Sequence, residues 1–206
     1  MTTAAIVLAA GASTRMGRNK LLLDIEGRPM VRRAVEHLLE GGVDAVFVIT
    51  GSFRDDVVAA LRGVPVRFVE SPDPTGPTSA SLHAGLSALP AEVDRAVVML
   101  ADMPHITAPM IRTLLDRATS GLEPLVVSRY GDVLAPPLLF RRALFAELLA
   151  WHGEGCGKAV VRRHADEAAY VDWPETALAD VDTPADYAAA ISALRGAAPS
   201  RGSEPK

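Results

Sequence analysis

The sequence predicts an α/β fold, a single domain on a mostly parallel, Rossmann-like sheet with helices on both faces. Five short apolar runs, residues 4–8, 45–49, 66–69, 96–100 and 125–128, are rich in Val, Ile and Leu without polar alternation. That is the pattern of strands buried on both faces. Between them lie stretches with apolar residues at helical spacing, such as Met30, Val31, Ala34, Val35, Leu38 and Leu39, then Val57, Val58 and Leu61. Strand and helix in alternation imply right-handed crossovers and therefore parallel pairing.

The punctuation between elements fits that reading. Gly41 and Gly42 can end the first helix, residues 72–77 form a turn-prone stretch, and Pro109 suits the first position of a further helix. After about residue 130 the alternation loosens: Pro136 and Pro137 are followed by a helix-like stretch at 141–151 and a Gly-rich break at 153–157. A subdomain insertion or extension is expected there. Residues 1–195 are read as the domain. Residues 196–206, rich in Gly, Ala, Pro and Ser without apolar periodicity, are read as a disordered tail.

With 206 residues and 49% hydrophobic composition, the chain is long enough to bury one sizeable core. A formal charge of -4 argues against a general nucleic-acid or anionic-membrane surface, which needs a broad cationic face. Any anion must then meet a local basic cluster. The single cysteine, Cys156, makes no internal disulfide, and the N-terminus lacks the basic start and cleavage site of a secretory signal. No apolar run approaches the roughly 20 residues needed to span a bilayer. The expected location is cytoplasmic.

Residues 8–23 read LAAGASTRMGRNKLLL, directly after the first strand and ahead of the helix beginning near Pro29. Strand-to-helix connections usually run about 2 to 6 residues, so a loop of this length favours function. Small residues Ala9, Ala10, Gly11, Ala12 and Ser13 let a ligand approach the backbone, and Arg15, Arg18 and Lys20 add positive charge after them. A triphosphate calls for both features together. The dinucleotide fingerprint G-x-G-x-x-G and the P-loop Gly-Lys-Ser/Thr are both absent here.

This loop resembles the signature of the MobA-like nucleotidyltransferases, written loosely as LAAGxSxRMGxxKLLL. The resemblance implies the nucleotide-diphospho-sugar transferase-like version of the fold. It also implies nucleotide contacts from Leu8, Ala9, Ala10, Gly11, Ser13, Arg15 and Lys20, with Arg15 and Lys20 counted as catalytic. Ala9 and Ala10 before Gly11 resemble the molybdenum cofactor cytidylyltransferase branch more than the guanylyltransferase branch, which typically carries Gly-Gly. CTP is the triphosphate this implies.

Acidic residues supply a candidate metal site. The run 96–101 leads into Asp102, Met103 and Pro104, placing a carboxylate just past the end of a buried strand, where ligands of open parallel sheets collect. By itself Asp102 could equally cap a turn. LADMP is similar to the family's LGDMP, and the resemblance implies that Asp102 is catalytic, contacts the nucleotide and binds Mg²⁺, a cation that favours carboxylate, water and phosphate oxygens. A second cluster, DVDTPADY at residues 180–187, precedes a predicted helix with Ala189, Ile191 and Leu194 as apolar positions. Thr183 suits the N-cap, Pro184 the first position and Asp186 the third. Capping does not require Asp182, and the likeness to the family's DIDTPEDY implies that Asp182 joins Asp102 at the metal. Asp180 is a weaker candidate.

The stretch PTSASLHAGL at residues 77–86 opens a helix with Leu82, Leu86 and Leu89 toward the core. It is similar to the family's GMSSSL, which implies base and sugar contacts from Thr78, Ser79 and Ser81. A plain helix cap at Thr78 or Ser79 is the alternative, and Pro77 stands where the family carries Gly, removing a donor. Residues 130–161 resemble the acceptor-side segment but depart from it at Ala135, Pro136, Glu154 and Cys156. Gly155 and Lys158 still offer a backbone-accessible cationic turn for a phosphorylated acceptor.

His37, His83, His105, His152 and His164 show no metal-site spacing, and Cys156 has no identifiable base. The expected activity is Mg²⁺-dependent transfer of a nucleoside monophosphate from CTP to a phosphorylated small molecule, molybdopterin by resemblance, with pyrophosphate released. A molybdoenzyme or its maturation chaperone is the expected protein partner. Rival expectations are a sugar- or alcohol-phosphate nucleotidyltransferase and a non-catalytic nucleotide-binding regulator.

Overall fold

A computed structural model describes residues 1–11, 19–155, 157–179, 181 and 183–197, the side chains of the last three excepted. Each predicted apolar run is a strand: β1 (Thr2–Ala9), then, after a two-stranded hairpin of β2 (Asp24–Ile25) and β3 (Arg28–Pro29), helix α1 (Met30–Gly41) and β4 (Ala45–Thr50). Helix α2 (Arg54–Ala60), β5 (Arg67–Glu70), α3 (Thr78–Ser87), β6 (Val93–Leu100) and α4 (Ala108–Ser120) continue the alternation. The remainder is β7 (Leu125–Tyr130), β8 (Val133–Arg141), α5 (Phe145–Ala150), α6 (Lys158–Arg163), β9 (Ala169–Trp173) and α7 (Pro184–Ala197).

Seven strands form one sheet in the order β5-β4-β1-β6-β8-β7-β9. The pairs β5/β4, β4/β1, β1/β6 and β7/β9 are parallel, while β8 runs antiparallel to both β6 and β7. The sheet is therefore mostly parallel, as the apolar runs predict. Alternate residues of β1 feed two cores. Ala5, Val7 and Ala9 pack with α1, α2 and α4, whereas Ala4, Ile6 and Leu8 pack with α3, α5 and α6. Helices on both faces follow from that alternation.

The helix ends obey local chemistry. Gly42 closes α1 at φ 103°, a left-handed conformation that only glycine adopts at little cost. Pro109 occupies the first turn of α4, where its missing N–H has no partner to lose. Thr183 and Asp186 form a reciprocal capping box on α7: Asp186 N donates to Thr183 Oγ1 at 3.2 Å, and Thr183 N donates to Asp186 Oδ2 at 2.7 Å. Helix α7 is anchored by a small satellite core, in which Ala190 packs with Leu23, Ile25, Met30 and Val181. Ala189, one of the apolar positions read for this helix, is exposed, and its neighbour Ala190 is buried. Helix α7 continues to Ala197, two residues into the segment read as a tail, and residues 198–206 lie outside the described residues.

Residues 130–161 extend the same sheet, with β8 in its interior despite Pro136 and Pro137. The prolines fall where the β7/β8 register shifts, between the Val127 and Arg129 pairings, so their missing N–H groups cost no ladder bond. Their carbonyls are used: Tyr130 Oη donates to Pro136 O at 2.8 Å and Ser128 Oγ to Pro137 O at 2.7 Å. The helix-like pattern at 141–151 resolves into the last residue of β8, a 3₁₀ turn at Arg142–Leu144 and the short α5. Strand β5 is an edge strand that starts at Arg67 and is only partly buried, so Val66 lies outside it. No described helix is long and apolar enough to cross a membrane.

Candidate functional site

Strands β1 and β6 end side by side, with Leu8 in register with Leu100, and Ala101 N donates to Leu8 O at 3.1 Å. The first loop and the Asp102 segment therefore leave the sheet at one place. It is also where the topology turns: β1, β4 and β5 build outward in one direction, and the chain then returns to lay β6 on the other side of β1. Crevices at such switch points are where open α/β sheets take their ligands.

Two residues converge there. Lys20 Nζ lies 2.6 Å from Asp102 Oδ2, with the two side chains 15% and 18% exposed. Lys20 is set in place by two of the three leucines after it, Leu21 and Leu23, while Leu22 faces outward. Residues Lys20–Leu22 form a 3₁₀ turn, Leu21 is buried in the main core, and Leu23 is buried in the α7 satellite cluster. Leu21 and Leu23 thus act as pegs that hold the cation against the sheet edge. Asn19 starts the turn, its Oδ1 accepting from Leu21 N at 3.1 Å.

The other oxygen of Asp102, Oδ1, is buried and has no hydrogen-bond partner among the described residues. A buried acceptor left open is the kind of group a hard cation takes. The segment beyond Asp102 is gripped by α1. Arg33 Nε donates to Pro104 O at 3.4 Å, and His37 Nδ1 lies 2.7 Å from Ile106 O. Burial, with a smaller contribution from Arg33, pushes His37 below the usual imidazole range, so its Nδ1–H donates to that carbonyl from a neutral ring. Arg33 also pairs with Glu26 of the β2/β3 turn at 2.6 Å, which ties the hairpin to the same helix.

The remaining expected nucleotide contacts divide. Leu8, Ala9 and Ala10 are buried at the end of β1, and Gly11 is exposed with open space where a Cβ would stand. Ser81 is buried and donates to Ser71 Oγ at 3.0 Å, while Ser71 N donates to Thr50 O at 2.8 Å, so the base of α3 is fastened to the end of β4. Thr78 and Ser79 face the Gly-rich turn. Thr78 Oγ1 donates to Glu154 Oε2 at 2.8 Å, Ser79 N donates to Gly153 O at 3.1 Å, and Gly153 N donates back to Ser79 Oγ at 3.0 Å. Neither hydroxyl caps its own helix: Pro77 is the N-cap and makes no side-chain cap bond. Ser13, Arg15, Arg18, Cys156, Asp180 and Asp182 lie outside the described residues.

Beside this clasp is a cavity of about 390 Å³ lined by Pro72, Asp73, Ser79, His83 and His152. The two histidine rings meet edge to face at 5.2 Å, a contact their separation in sequence conceals. Among the described residues no group of three or more His, Cys, Asp or Glu could hold a metal ion. Sequence reasoning also missed Gly51. A Cβ there would stand 2.5 Å from Ala10 O and 2.9 Å from Ala10 Cα, so only glycine lets the chain after β4 pass under the first loop. The glycine after an apolar run was a visible signal, but its partner was not.

The MobA-like NTP transferase domain matches residues 5–169. The chain belongs to this family. Among curated proteins, this MobA-like chain is 29% identical over 178 residues to the bifunctional protein GlmU of Agrobacterium fabrum. That match covers 84% of the chain but only 37% of GlmU, so the chain corresponds to a minor part of that relative's length. It is 31% identical over 153 residues to a probable molybdenum cofactor guanylyltransferase of Synechococcus elongatus, covering 67% of this chain and 76% of that protein. Among solved structures, Rv0371c from Mycobacterium tuberculosis superposes with a TM-score of 0.83 at 25% identity over 93% of this chain and 98% of the other. A nucleotidyl transferase from Methanothermobacter shares the fold at a TM-score of 0.81 and 24% identity over 95% of this chain and 99% of the other.

Proposed function

We propose that this MobA-like chain is a nucleotidyltransferase that moves a nucleoside monophosphate from a triphosphate, CTP in the first instance, onto a phosphorylated small-molecule acceptor. The observation that carries the reading is the Lys20–Asp102 pair at the sheet's switch point, its two charged groups 2.6 Å apart. Membership of the NTP transferase family supports the same reaction class.

The acceptor is expected to attack the α-phosphorus in line with the departing pyrophosphate. Little covalent work falls to the protein in such a transfer, and most of the rate comes from positioning and charge stabilisation. Lys20 and Arg15 offset negative charge on the polyphosphate, and amides around Gly11 approach it closely. Asp102 and Asp182 are the residues that would hold Mg²⁺, and the open Oδ1 of Asp102 fits a hard oxygen-seeking ion. When bound, that ion would neutralise phosphate charge. A solved structure of the neighbour Rv0371c, 27% identical, is described as a complex with manganese, which favours a divalent ion in this family.

The acceptor proposed is molybdopterin, supported by relatives named as probable molybdenum cofactor guanylyltransferases. Those names also favour a second reading in which GTP replaces CTP. Ala9 and Ala10 before Gly11 support cytosine; the relatives' names support guanine. A molybdoenzyme or its maturation chaperone is proposed to receive the product.

Pyrophosphate release measured with CTP, GTP, ATP and UTP, each against molybdopterin and a sugar 1-phosphate, separates these readings. CTP with molybdopterin is expected to dominate, and activity is expected to vanish with a chelator and return with Mg²⁺. Release with sugar 1-phosphate alone would move the chain to another acceptor class. Nucleotide binding with no release across the panel would make it a regulator.

A further inference from the structure

Asn19 has one satisfied arm and one that is not. It is 6% exposed, which is unusual for an asparagine in a loop. Its Oδ1 accepts from Leu21 N at 3.1 Å and so starts the 3₁₀ turn Lys20–Leu22. Its Nδ2, buried with it, has no hydrogen-bond partner among the described residues. A turn cap uses only the oxygen, and Asp provides one without burying an idle donor. An unmade buried hydrogen bond is costly, so an idle donor calls for a partner that arrives later.

The neighbouring chemistry indicates which partner. The next residue is Lys20, whose ammonium stands 2.6 Å from Asp102. A carboxamide NH₂ only donates, and an ammonium only donates. Two donors on consecutive residues, one charged and one buried, suit an anionic oxygen. Because Oδ1 is engaged with Leu21 N, the amide cannot flip to present an acceptor without losing its cap.

We propose that Asn19 is a substrate-binding residue whose Nδ2 donates to a phosphate oxygen of the bound nucleoside triphosphate, while its Oδ1 holds the turn that carries Lys20. This inference rests on the proposed nucleotidyltransferase reading and adds a contact the signature motif does not specify.

The variant that separates the two arms is Asn19→Asp. It keeps the oxygen for Leu21 N and replaces the donor with an anionic acceptor. In pyrophosphate release, N19D is expected to raise KM for the triphosphate about 10- to 100-fold, the range of a lost hydrogen bond to a charged group. Because the new carboxylate is largely buried, N19D is also expected to melt lower than wild type, so KM is read at a temperature where both are fully folded. A wild-type KM in N19D would reduce Asn19 to a cap and overturn the proposal.

A second measurement does not depend on any variant folding. In ¹⁵N-labelled wild-type chain, the assigned Asn19 side-chain NH₂ signals should move and saturate together with the Gly11 amide as CTP and Mg²⁺ are added. Movement of Gly11 with Asn19 unmoved would overturn the proposal and leave the nucleotide site standing. Silence of both toward CTP, GTP, ATP and UTP would overturn the parent reading and this one with it.

Discussion

Lys20, in the turn that follows the first loop, and Asp102, just past β6, meet at 2.6 Å where β1 and β6 end in register. Neither residue sits on a strand. Each is delivered by its packing neighbours: Leu21 buried in the core below Lys20, and Arg33 and His37 of α1 gripping the carbonyls beyond Asp102. The site is thus a meeting of two loops held by one helix and one core.

Asp102→Asn removes the charge but keeps the shape. Turnover is expected to fall on the order of 10³-fold, the upper range for losing one preorganised electrostatic group. Steady-state pyrophosphate release at saturating triphosphate measures this. Near-normal turnover would remove Asp102 from the chemistry.

Lys20→Met leaves a carboxylate that is only 18% exposed without its cation. The fold is expected to lose roughly 1–3 kcal/mol, the cost of an unpartnered, partly buried polar group. Triphosphate affinity should fall as well. Chemical denaturation and isothermal titration together check both halves.

Gly51→Ala tests the passage beneath the first loop. Its Cβ would meet backbone atoms of Ala10, which cannot swing aside as a side chain does. A loss of about 1–3 kcal/mol is expected from overpacking, together with a raised KM for the triphosphate. Gly85→Ala on α3 is the control. There the Cβ would stand 2.5 Å from Ile6 Cγ2, away from the loop, so stability should drop with KM unchanged.

The pair His164 and Glu147 links α6 to α5 at 2.8 Å. The hydrogen bond that His164 donates to Glu147, with help from Glu167, raises the His164 pKa above 6.5, and His164 with Arg163 lowers that of Glu147 below 4.5. A raised histidine contributes stability that is complete below its unfolded value and fades as pH rises through the folded one. A lowered glutamate contributes stability that is complete above its unfolded value and fades as pH falls through the folded one. The pair is strongest between about pH 4.5 and 6.5. Wild-type melting temperature should therefore drop more from pH 6 to pH 8 than that of His164→Gln, as thermal scans at the two pH values would show.

Thr183→Ala removes one half of the α7 capping box and should cost about 1 kcal/mol. Because α7 rests on the small cluster around Leu23, Ile25 and Met30, the loss should appear first as faster proteolysis within α7. Equal cleavage of variant and wild type would mean that the cap contributes little.

Much of the fold was readable from the chain, and for a physical reason. Strands buried on both faces must be apolar at every position, so β1, β4, β6 and β7 announced themselves without their neighbours. Thr183, Pro184 and Asp186 announced α7 because capping is a contact between residues three apart. Strand β8 stayed hidden because two prolines forbid regular pairing, and only the shifted register with β7 makes room for them. The Thr78–Glu154 clasp stayed hidden because a hydroxyl at a helix start is explained locally by capping, while its actual partner belongs to the Gly-rich turn after α5.

The sequence by itself determined the class of fold, the two-sided burial of its sheet, and the family, because each follows from short-range pattern: period, punctuation and the spacing of one loop motif. Only the tertiary structure decided that Lys20 pairs with Asp102, that Gly51 must be bare beneath Ala10, and that Asn19 buries an empty donor beside them. Those relationships depend on strand order and register, which bring separate loops to one edge of the sheet, and no local pattern encodes which loops will meet.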